Sequence, residues 1–384
     1  MGQLSMKVGA ERCAGTQDKK ITVVLHDVRG GGAERMMLRI AKGMCDRGRN
    51  VDLVLVKAQG EFLREIPDSV RVIDLNSPSV ASAIPSMVRY LRKEAPTAIL
   101  TALTHMNVAV AMARWLAGSK ARLVLSERNQ ISRKAATVRQ WRQKFMYAGV
   151  RFAYPLADGV TAVSQGVAND LLKFARVQPQ KVQVIYNPAF NDEVIDSSRE
   201  YLDHPWFAEG EPPVILAVGR LHHQKGFDIL LDAFSAVLSE EPCRLIILGE
   251  GGQRESLERQ AKQLGIAPYV QFPGFVKNPY AYMGRAALFV LSSRWEGLPG
   301  ALIEAMACGC AVVATDCPSG PAEIIEDDTQ GAIVPVEDSQ ALAAAMLGAL
   351  NTPRGRGVDR ARRFNMASAV DAYLEMLEPQ PRGV

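Results

Sequence analysis

Short apolar runs alternate with longer amphipathic stretches along most of the chain. Ile21–Leu25 reads as a strand, Gly32–Arg47 as a helix and Val51–Val56 as a second strand. Further strands fall at Ile99–Leu103, Arg122–Ser126, Gly159–Val163 and Val182–Tyr186, with a helical pattern over Val108–Leu116. Strands that are apolar at every position and separated by helices belong to a parallel sheet covered on both faces. The rhythm pauses between Asn187 and Pro213, where Asn-Pro, Asp and Pro punctuate the chain without periodicity. It resumes with strands at Val214–Val218, Arg244–Leu248, Val270–Phe272, Ala287–Leu291, Ala311–Thr315 and Ala332–Val334, and helices that include Phe227–Leu238 and Ala301–Ala307. The pattern predicts an α/β protein of two doubly wound, Rossmann-like domains that face each other across a cleft, where such sheets bind ligands at the carboxyl ends of their strands. The expected divisions are a tail over 1–19, a first domain over 20–190 and a second over 191–365. A helix within 366–384, centred on Ala367–Leu377, is expected to pack back onto the first domain.

Length agrees with two domains, because 384 residues exceed the ~250–300 at which a single core stops growing. No apolar run reaches the ~20 residues that span a bilayer. Met1–Lys19 is polar and aperiodic and is expected to be a disordered tail, with Met6 an alternative start. The six cysteines have no framework spacing, which suits a reducing cytoplasm. Cys308-Gly309-Cys310 with remote Cys317 makes a poor zinc pattern and reads instead as small buried residues beside a strand.

Charge changes the picture more than the total of +4 suggests. Residues 1–187 carry 29 Lys and Arg against 14 Asp and Glu, and the remainder carries 16 against 27. Lys120–Arg151 holds nine basic residues and one acid, Glu127. A field of that sign attracts an anionic ligand or surface. No motif that interleaves basic and stacking aromatic residues is present, so nucleic acid is not the expected partner. Drawn as one helix, Ile131–Tyr154 places Val138, Trp141, Phe145 and Ala148 on an apolar face beside Arg133, Lys134, Arg139, Arg142, Lys144 and Arg151. That make-up suits a helix lying in an anionic membrane surface, and predicts a peripheral protein on the inner face of the cytoplasmic membrane.

Four motifs carry the candidate chemistry. Gly30-Gly31-Gly32 follows the first strand and opens a helix, where bare amides can approach an anion, although a tight structural turn would look the same. Gly219-Arg220 ends the strand at Val214–Val218, and Lys225 opens the following helix. A guanidinium and an ammonium five residues apart can both reach a diphosphate. Both are expected to face the cleft, so that removing either should leave folding intact. Gly249-Glu250 ends the next strand in another Gly-rich turn able to pass close to a phosphate. Glu296, in Glu296-Gly297-Leu298-Pro299, precedes a helix that carries Glu304 eight residues on. Two carboxylates there can accept hydrogen bonds from sugar and ribose hydroxyls.

The run Val218-Gly219-Arg220-Leu221 with Gln224-Lys225-Gly226, and the Glu296–Glu304 pair within Glu-Gly-Leu-Pro and Glu-Ala-Met-Ala-Cys-Gly, resembles the retaining nucleotide-sugar glycosyltransferase family 4 of the GT-B fold. Gly31-Gly32-Ala33-Glu34-Arg35, Val163-Ser164, Tyr186-Asn187-Pro188 and Thr315-Asp316-Cys317-Pro318-Ser319-Gly320-Pro321 support it. The chain looks most like bacterial members that build lipid-linked oligosaccharides or surface polysaccharides. The resemblance implies a hexosyltransferase that uses a nucleotide diphosphate sugar, of which UDP-sugars are the commonest, and a lipid-linked or saccharide acceptor. It implies that Arg220 and Lys225 neutralise the diphosphate, that Glu296 contacts the donor sugar and that Glu304 contacts the ribose. Phe275-Val276 would border the base, Gly31 and Gly32 would lie near the diphosphate and acceptor, and His105 would be an acceptor-side polar residue. No Asp-x-Asp metal motif occurs, so the two cations are expected to replace a metal and no cofactor is expected. Two other readings share the fold: a sugar-nucleotide epimerase, which needs no basic acceptor surface, and an inactive nucleotide-sugar binder, which would not need all four of Arg220, Lys225, Glu296 and Glu304.

Overall fold

A computed structural model describes residues 19–29, 32–138, 140–351 and 353–378, with the side chains of residues 137 and 142 excepted. The expected tail up to residue 18, with Cys13, and Gly30, Gly31 and Arg139 therefore lie outside the described residues. The contacts divide the chain into two compact units, Met1–Asn187 with Met366–Val384, and Pro188–Asn365.

The first unit opens with β1 (Lys20–Leu25), α1 (Gly32–Asp46), β2 (Asn50–Leu55), β3 (Arg71–Asp74) and α2 (Val80–Glu94). It continues with β4 (Ala98–Ala102), α3 (Thr104–Ala117), β5 (Arg122–Glu127), α4 (Ile131–Thr137) and α5 (Trp141–Ala153). β6 (Gly159–Ala162), α6 (Gln165–Phe174) and β7 (Val182–Val184) close its sheet. The second unit holds α7 (Asp192–Arg199), β8 (Val214–Val218), α8 (Phe227–Glu240), β9 (Arg244–Leu248), α9 (Arg254–Gln263), β10 (Val270–Gly274) and α10 (Pro279–Met283). After them come β11 (Leu288–Leu291), α11 (Gly300–Ala307), β12 (Ala311–Thr315), α12 (Pro321–Ile324), β13 (Ala332–Val334), α13 (Ser339–Leu350) and α14 (Val358–Ala361). Helix α15 (Met366–Leu377) returns to the first unit.

Both sheets are parallel throughout, in the orders β3-β2-β1-β4-β5-β6-β7 and β10-β9-β8-β11-β12-β13. This is the doubly wound order, in which the chain leaves the first strand toward one edge and later returns to build toward the other. The reversal falls between β1 and β4 in one unit and between β8 and β11 in the other. The central strands are apolar on both faces, as in the fully buried runs β4 and β11, because helices cover both sides.

Helix α15 is part of the first core. Val370, Tyr373, Leu374 and Leu377 belong to the cluster built on Ile21, Val23, Leu53 and Leu100. Gly43 of α1 and Gly159 of β6 leave room for it, since a Cβ at either would come within 2.6 Å of Val370 Cγ2 or 2.5 Å of Met376 Cε. Arg49 Nε donates to Glu378 Oε1 at 2.9 Å, and Arg47 pairs with Asp371.

The aperiodic stretch 187–213 carries a short helix, α7, which Asn191 caps, its side chain accepting from the Val194 amide at 3.1 Å. One sequence expectation is corrected: Ile131–Tyr154 is not one helix. Val138 and Gln140 take extended backbone angles between α4 and α5, so Val138 does not share a face with Trp141 and Phe145, and Tyr154 is fully buried. On α5 the exposed aromatics are Trp141, Phe145 and Phe152, at 65%, 71% and 79% exposure. They fall within ~40° of one another at ~100° per residue. Val150 and Ala153 are buried on the other side, Gly149 lies toward Val108 of α3, and Lys144 and Arg151 are exposed beside the stripe.

Candidate active site

The reversal between β8 and β11 brings the second unit's motifs together. Gly219 and Arg220 follow β8, and the chain then folds through a single tight turn, His223–Lys225, before α8. The Lys225 stem lies over Gly219, where a Cβ would be 3.0 Å from Lys225 Cε. Its ammonium donates to Glu296 Oε1 at 2.6 Å, and Ser293 Oγ donates to the same oxygen at 2.6 Å. Glu296 is buried, at 7% exposure. Ser292 Oγ donates to the Lys225 carbonyl at 2.9 Å. Gly226, at φ +62°, allows this approach, since a Cβ there would run into the Ser292 carbonyl. Lys225 is therefore a paired, part-buried cation rather than a solvated one, and its removal should cost stability, contrary to the expectation that folding stays intact. Arg220, next in sequence to Gly219, is exposed.

The remaining candidates of the second unit make other contacts. Gly249, at φ +132°, packs on the Gly219 carbonyl, and Gly251 on that of Leu221. Those glycines let two strand-end loops stack. Glu250 points along its own turn, where Arg254 donates to Oε1 at 3.0 Å. Phe275, just past β10, is exposed at 66%, and Val276 is half-buried. In the loop before α11, the Gly297 carbonyl accepts from Ser319 Oγ at 2.8 Å, Leu298 is buried, and Pro299 immediately precedes the helix. Glu304 is half-buried in the second turn of α11 and accepts from Tyr280 Oη at 3.3 Å.

In the first unit the reversal lies between β1 and β4. His26 and Asp27 follow β1, and His105 is the second residue of α3, its ring 6.0 Å from that of His26. Leu103 enters α3 at φ +76°, an unusual angle for a branched residue. Burial lowers the His105 pKa to about 4, helped by nearby His26 and Lys134 and opposed by Asp27. Gly32 opens α1 with nothing within 4 Å of its Cβ position.

Sequence reasoning missed two polar centres. Glu127 is fully buried at the end of β5 and accepts from Tyr154 Oη at 2.6 Å, Thr104 Oγ1 at 3.0 Å and the Arg128 amide at 3.1 Å. Burial raises its pKa against the pull of those bonds. Its signal was present as the single acid in the basic stretch. Arg294 lies inside the Ser292–Pro299 block yet is held among carboxylates at 9% exposure. Among the described residues no group of three or more His, Cys, Asp or Glu could hold a metal ion, and Cys310 and Cys317 are buried thiols pushed up to about 12 by burial.

Residues 30–189 match the family model "Glycosyltransferase Family 4", and residues 212–352 match "Glycosyl transferases group 1". A Campylobacter jejuni protein, N-acetylgalactosamine-N,N'-diacetylbacillosaminyl-diphospho-undecaprenol 4-alpha-N-acetylgalactosaminyltransferase, is 26% identical over 92% of this chain and 96% of its own. The amylovoran biosynthesis glycosyltransferase AmsD of Erwinia amylovora is 25% identical over 82% of this chain and 85% of its own. Among solved structures, Anabaena HepE in complex with UDP and glucose superposes with a TM-score of 0.78 at 22% identity, over 94% of this chain and all of that one. The two parallel, doubly wound units thus have the GT-B fold, the architecture of a glycosyltransferase. With the two models together matching most of its length, the chain belongs to glycosyltransferase family 4.

Proposed function

We propose that the protein transfers a hexose or N-acetylhexosamine from a UDP-sugar, with retention of configuration and without a metal, to a lipid-linked saccharide or polysaccharide acceptor. The observation that carries this reading is the part-buried Lys225–Glu296 pair at the β8–β11 reversal, with an exposed Arg220 following Gly219, on which the Lys225 stem lies. Cleaving the sugar–diphosphate bond puts negative charge on the diphosphate. Arg220 and Lys225 supply fixed positive charge there, the role a metal fills in other sites. Glu296 accepts from the donor sugar's hydroxyls and Glu304 from the ribose. Phe275 and Val276 flank the base, the turns at Gly219 and Gly249-Glu250 and the loop Gly297-Leu298-Pro299 line the donor, and His105, Gly31 and Gly32 serve the acceptor side. Residues 191–365 are thus the donor domain and 20–190 the acceptor domain. The UDP in HepE and the undecaprenol-linked substrate named for the Campylobacter relative support the donor and acceptor classes.

The same reading has the protein bind peripherally to the inner face of the cytoplasmic membrane. No described helix is long and apolar enough to cross a membrane. The α5 stripe of Trp141, Phe145 and Phe152, with Lys144 and Arg151 beside it, supplies aromatic area and positive charge suited to an anionic interface.

The test is nucleotide release from a panel of nucleotide sugars, with acceptor, in the presence and absence of saturating chelator. Release of UDP that survives the chelator, with product of unchanged anomeric configuration by NMR, is the expected result. Release from no nucleotide sugar would overturn the donor assignment. Loss with chelator and recovery on adding magnesium or manganese would overturn metal independence.

A further inference from the structure

Arg294 has no part in the proposed donor contacts, and its surroundings explain why. The guanidinium has five N–H donors, and five acceptors meet them. Arg294 Nη1 donates to Asp228 Oδ1 at 2.8 Å and to the His223 carbonyl at 2.8 Å. Nη2 donates to Asp228 Oδ2 at 2.6 Å and to Glu337 Oε2 at 3.2 Å, and Nε donates to Glu337 Oε1. A cation so fully engaged is not available to a diphosphate.

The bonds join three separate pieces of chain. Asp228 lies in the first turn of α8, three residues after Lys225. Glu337 lies between β13 and α13 at φ +63°, a left-handed angle that is unusual for its type. Arg294 itself is two residues before Glu296. The segments 224–228 and 292–296 are therefore tied by two ion pairs of opposite sense, Lys225 to Glu296 and Arg294 to Asp228. Three more bonds run alongside: the Arg294 amide to the Gln224 carbonyl at 2.8 Å, Gln224 Nε2 to the Trp295 carbonyl at 2.8 Å, and Ser292 Oγ to the Lys225 carbonyl.

We infer that Arg294, held by Asp228 and Glu337, is a positioning residue that sets where the Lys225 ammonium and the Glu296 carboxylate stand. The inference rests on the donor-site reading above. Lysine cannot replace it, because one ammonium offers three donors from a single point and cannot span two carboxylates and a carbonyl. Misplacement by ~1 Å of a group acting on the reacting centre costs on the order of 10²-fold in rate.

The experiment measures kcat, donor KM and UDP affinity for Arg294→Lys, Asp228→Asn and Lys225→Ala. Arg244→Gln, which removes the surface pair with Glu211, serves as the control. Hydrogen exchange of each variant identifies those that remain folded. The expected result is a fall in kcat of roughly 10²-fold for Arg294→Lys and Asp228→Asn, with UDP affinity within about threefold of wild type, and no change for Arg244→Gln. A folded Arg294→Lys that keeps wild-type kcat while Lys225→Ala is inactive overturns the positioning role and leaves the donor site standing. A Lys225→Ala that retains turnover overturns the donor-site reading itself. A general loss of stability in Arg294→Lys, with normal kcat per folded molecule, marks a purely structural residue and overturns the inference.

Discussion

Arg220→Ala and Lys225→Ala should damage catalysis alike and stability unequally. In the proposed reaction each removes one fixed positive charge from the leaving group, and losing one such donor costs ~3–4 kcal/mol in the transition state, or roughly 10²–10³ in kcat. Folding separates them. Arg220 is exposed, and surface changes of that kind stay within ~0.5 kcal/mol. Lys225 is the cation of a pair whose side chains are 19% and 8% exposed. Its loss leaves the Glu296 carboxylate buried with the Ser293 hydroxyl as its remaining partner at that oxygen. Breaking a buried pair from one side costs ~3–5 kcal/mol, and partial exposure of Lys225 puts the expected value at about 3. Amide exchange over 214–240 and 288–307 reads this out within the second unit, where ~3 kcal/mol appears as roughly 10²-fold faster exchange. Lys225→Met combined with Glu296→Gln should recover most of the loss, because no buried charge is then stranded. Exchange in Lys225→Ala that matches Arg220→Ala, with no coupling in the double variant, would refute this account of the pair.

Other expectations are equally direct. His105 has a folded-state pKa near 4, below its ordinary 6.5, so the unfolded chain takes up its proton first as pH falls. Its contribution is complete above about 6.5 and is lost as pH drops toward 4, by at most ~3 kcal/mol; the slope of Tm against pH across that window should flatten in His105→Gln, and identical slopes would count against it. Gly226→Ala places a methyl group against the Ser292 carbonyl at a left-handed backbone angle and should cost at least ~1–2 kcal/mol along with most activity; wild-type melting and turnover would contradict the close approach. Vesicle sedimentation should rise with anionic lipid, fall with salt, and weaken when Trp141, Phe145 and Phe152 become Ser or when Lys144 and Arg151 become Glu; protein that stays in the supernatant over strongly anionic vesicles at low salt rules out the membrane reading.

Much of the fold was legible because its strands are of one kind. Val214–Val218, Arg244–Leu248, Ala311–Thr315 and Ala332–Val334 run edge for edge as read, each a mainly apolar run with a glycine, a proline or a charged residue at one or both ends. β3 escaped notice because Arg71 and Asp74 frame only two apolar residues, and α7 because Asp192–Arg199 is short and polar. The break at Val138 was hidden by helical spacing that continues through it, since periodicity records which residues would share a face and not whether the backbone stays helical. At the site, the motifs announced Lys225 and Glu296 as separate ligands. That they meet, across 71 positions of sequence, follows from the parallel pairing of β8 with β11, which spacing does not encode. Arg294 was unreadable for a related reason, since a charged side chain looks solvated in sequence until the acceptors around it are known, and Glu127 showed only as the single acid in a basic stretch.

The placement of α15 bears on how the chain comes off the ribosome. The first unit's core needs Val370, Tyr373 and Leu374, yet the chain makes the whole of Pro188–Asn365 before reaching them. The amide of Phe190 donates to the carbonyl of Phe364 at 3.0 Å, so the second unit begins and ends at one place, as a self-contained insertion would. During synthesis that unit can close while the first still lacks a wall, with Ile21, Met44 and Leu100 awaiting their cover. Order of emergence and order of completion are therefore reversed: the part made first is finished last. A nascent chain stalled before Met366 should present a folded second unit beside an unfinished, chaperone-binding first one, whose core the twelve residues of α15 then complete.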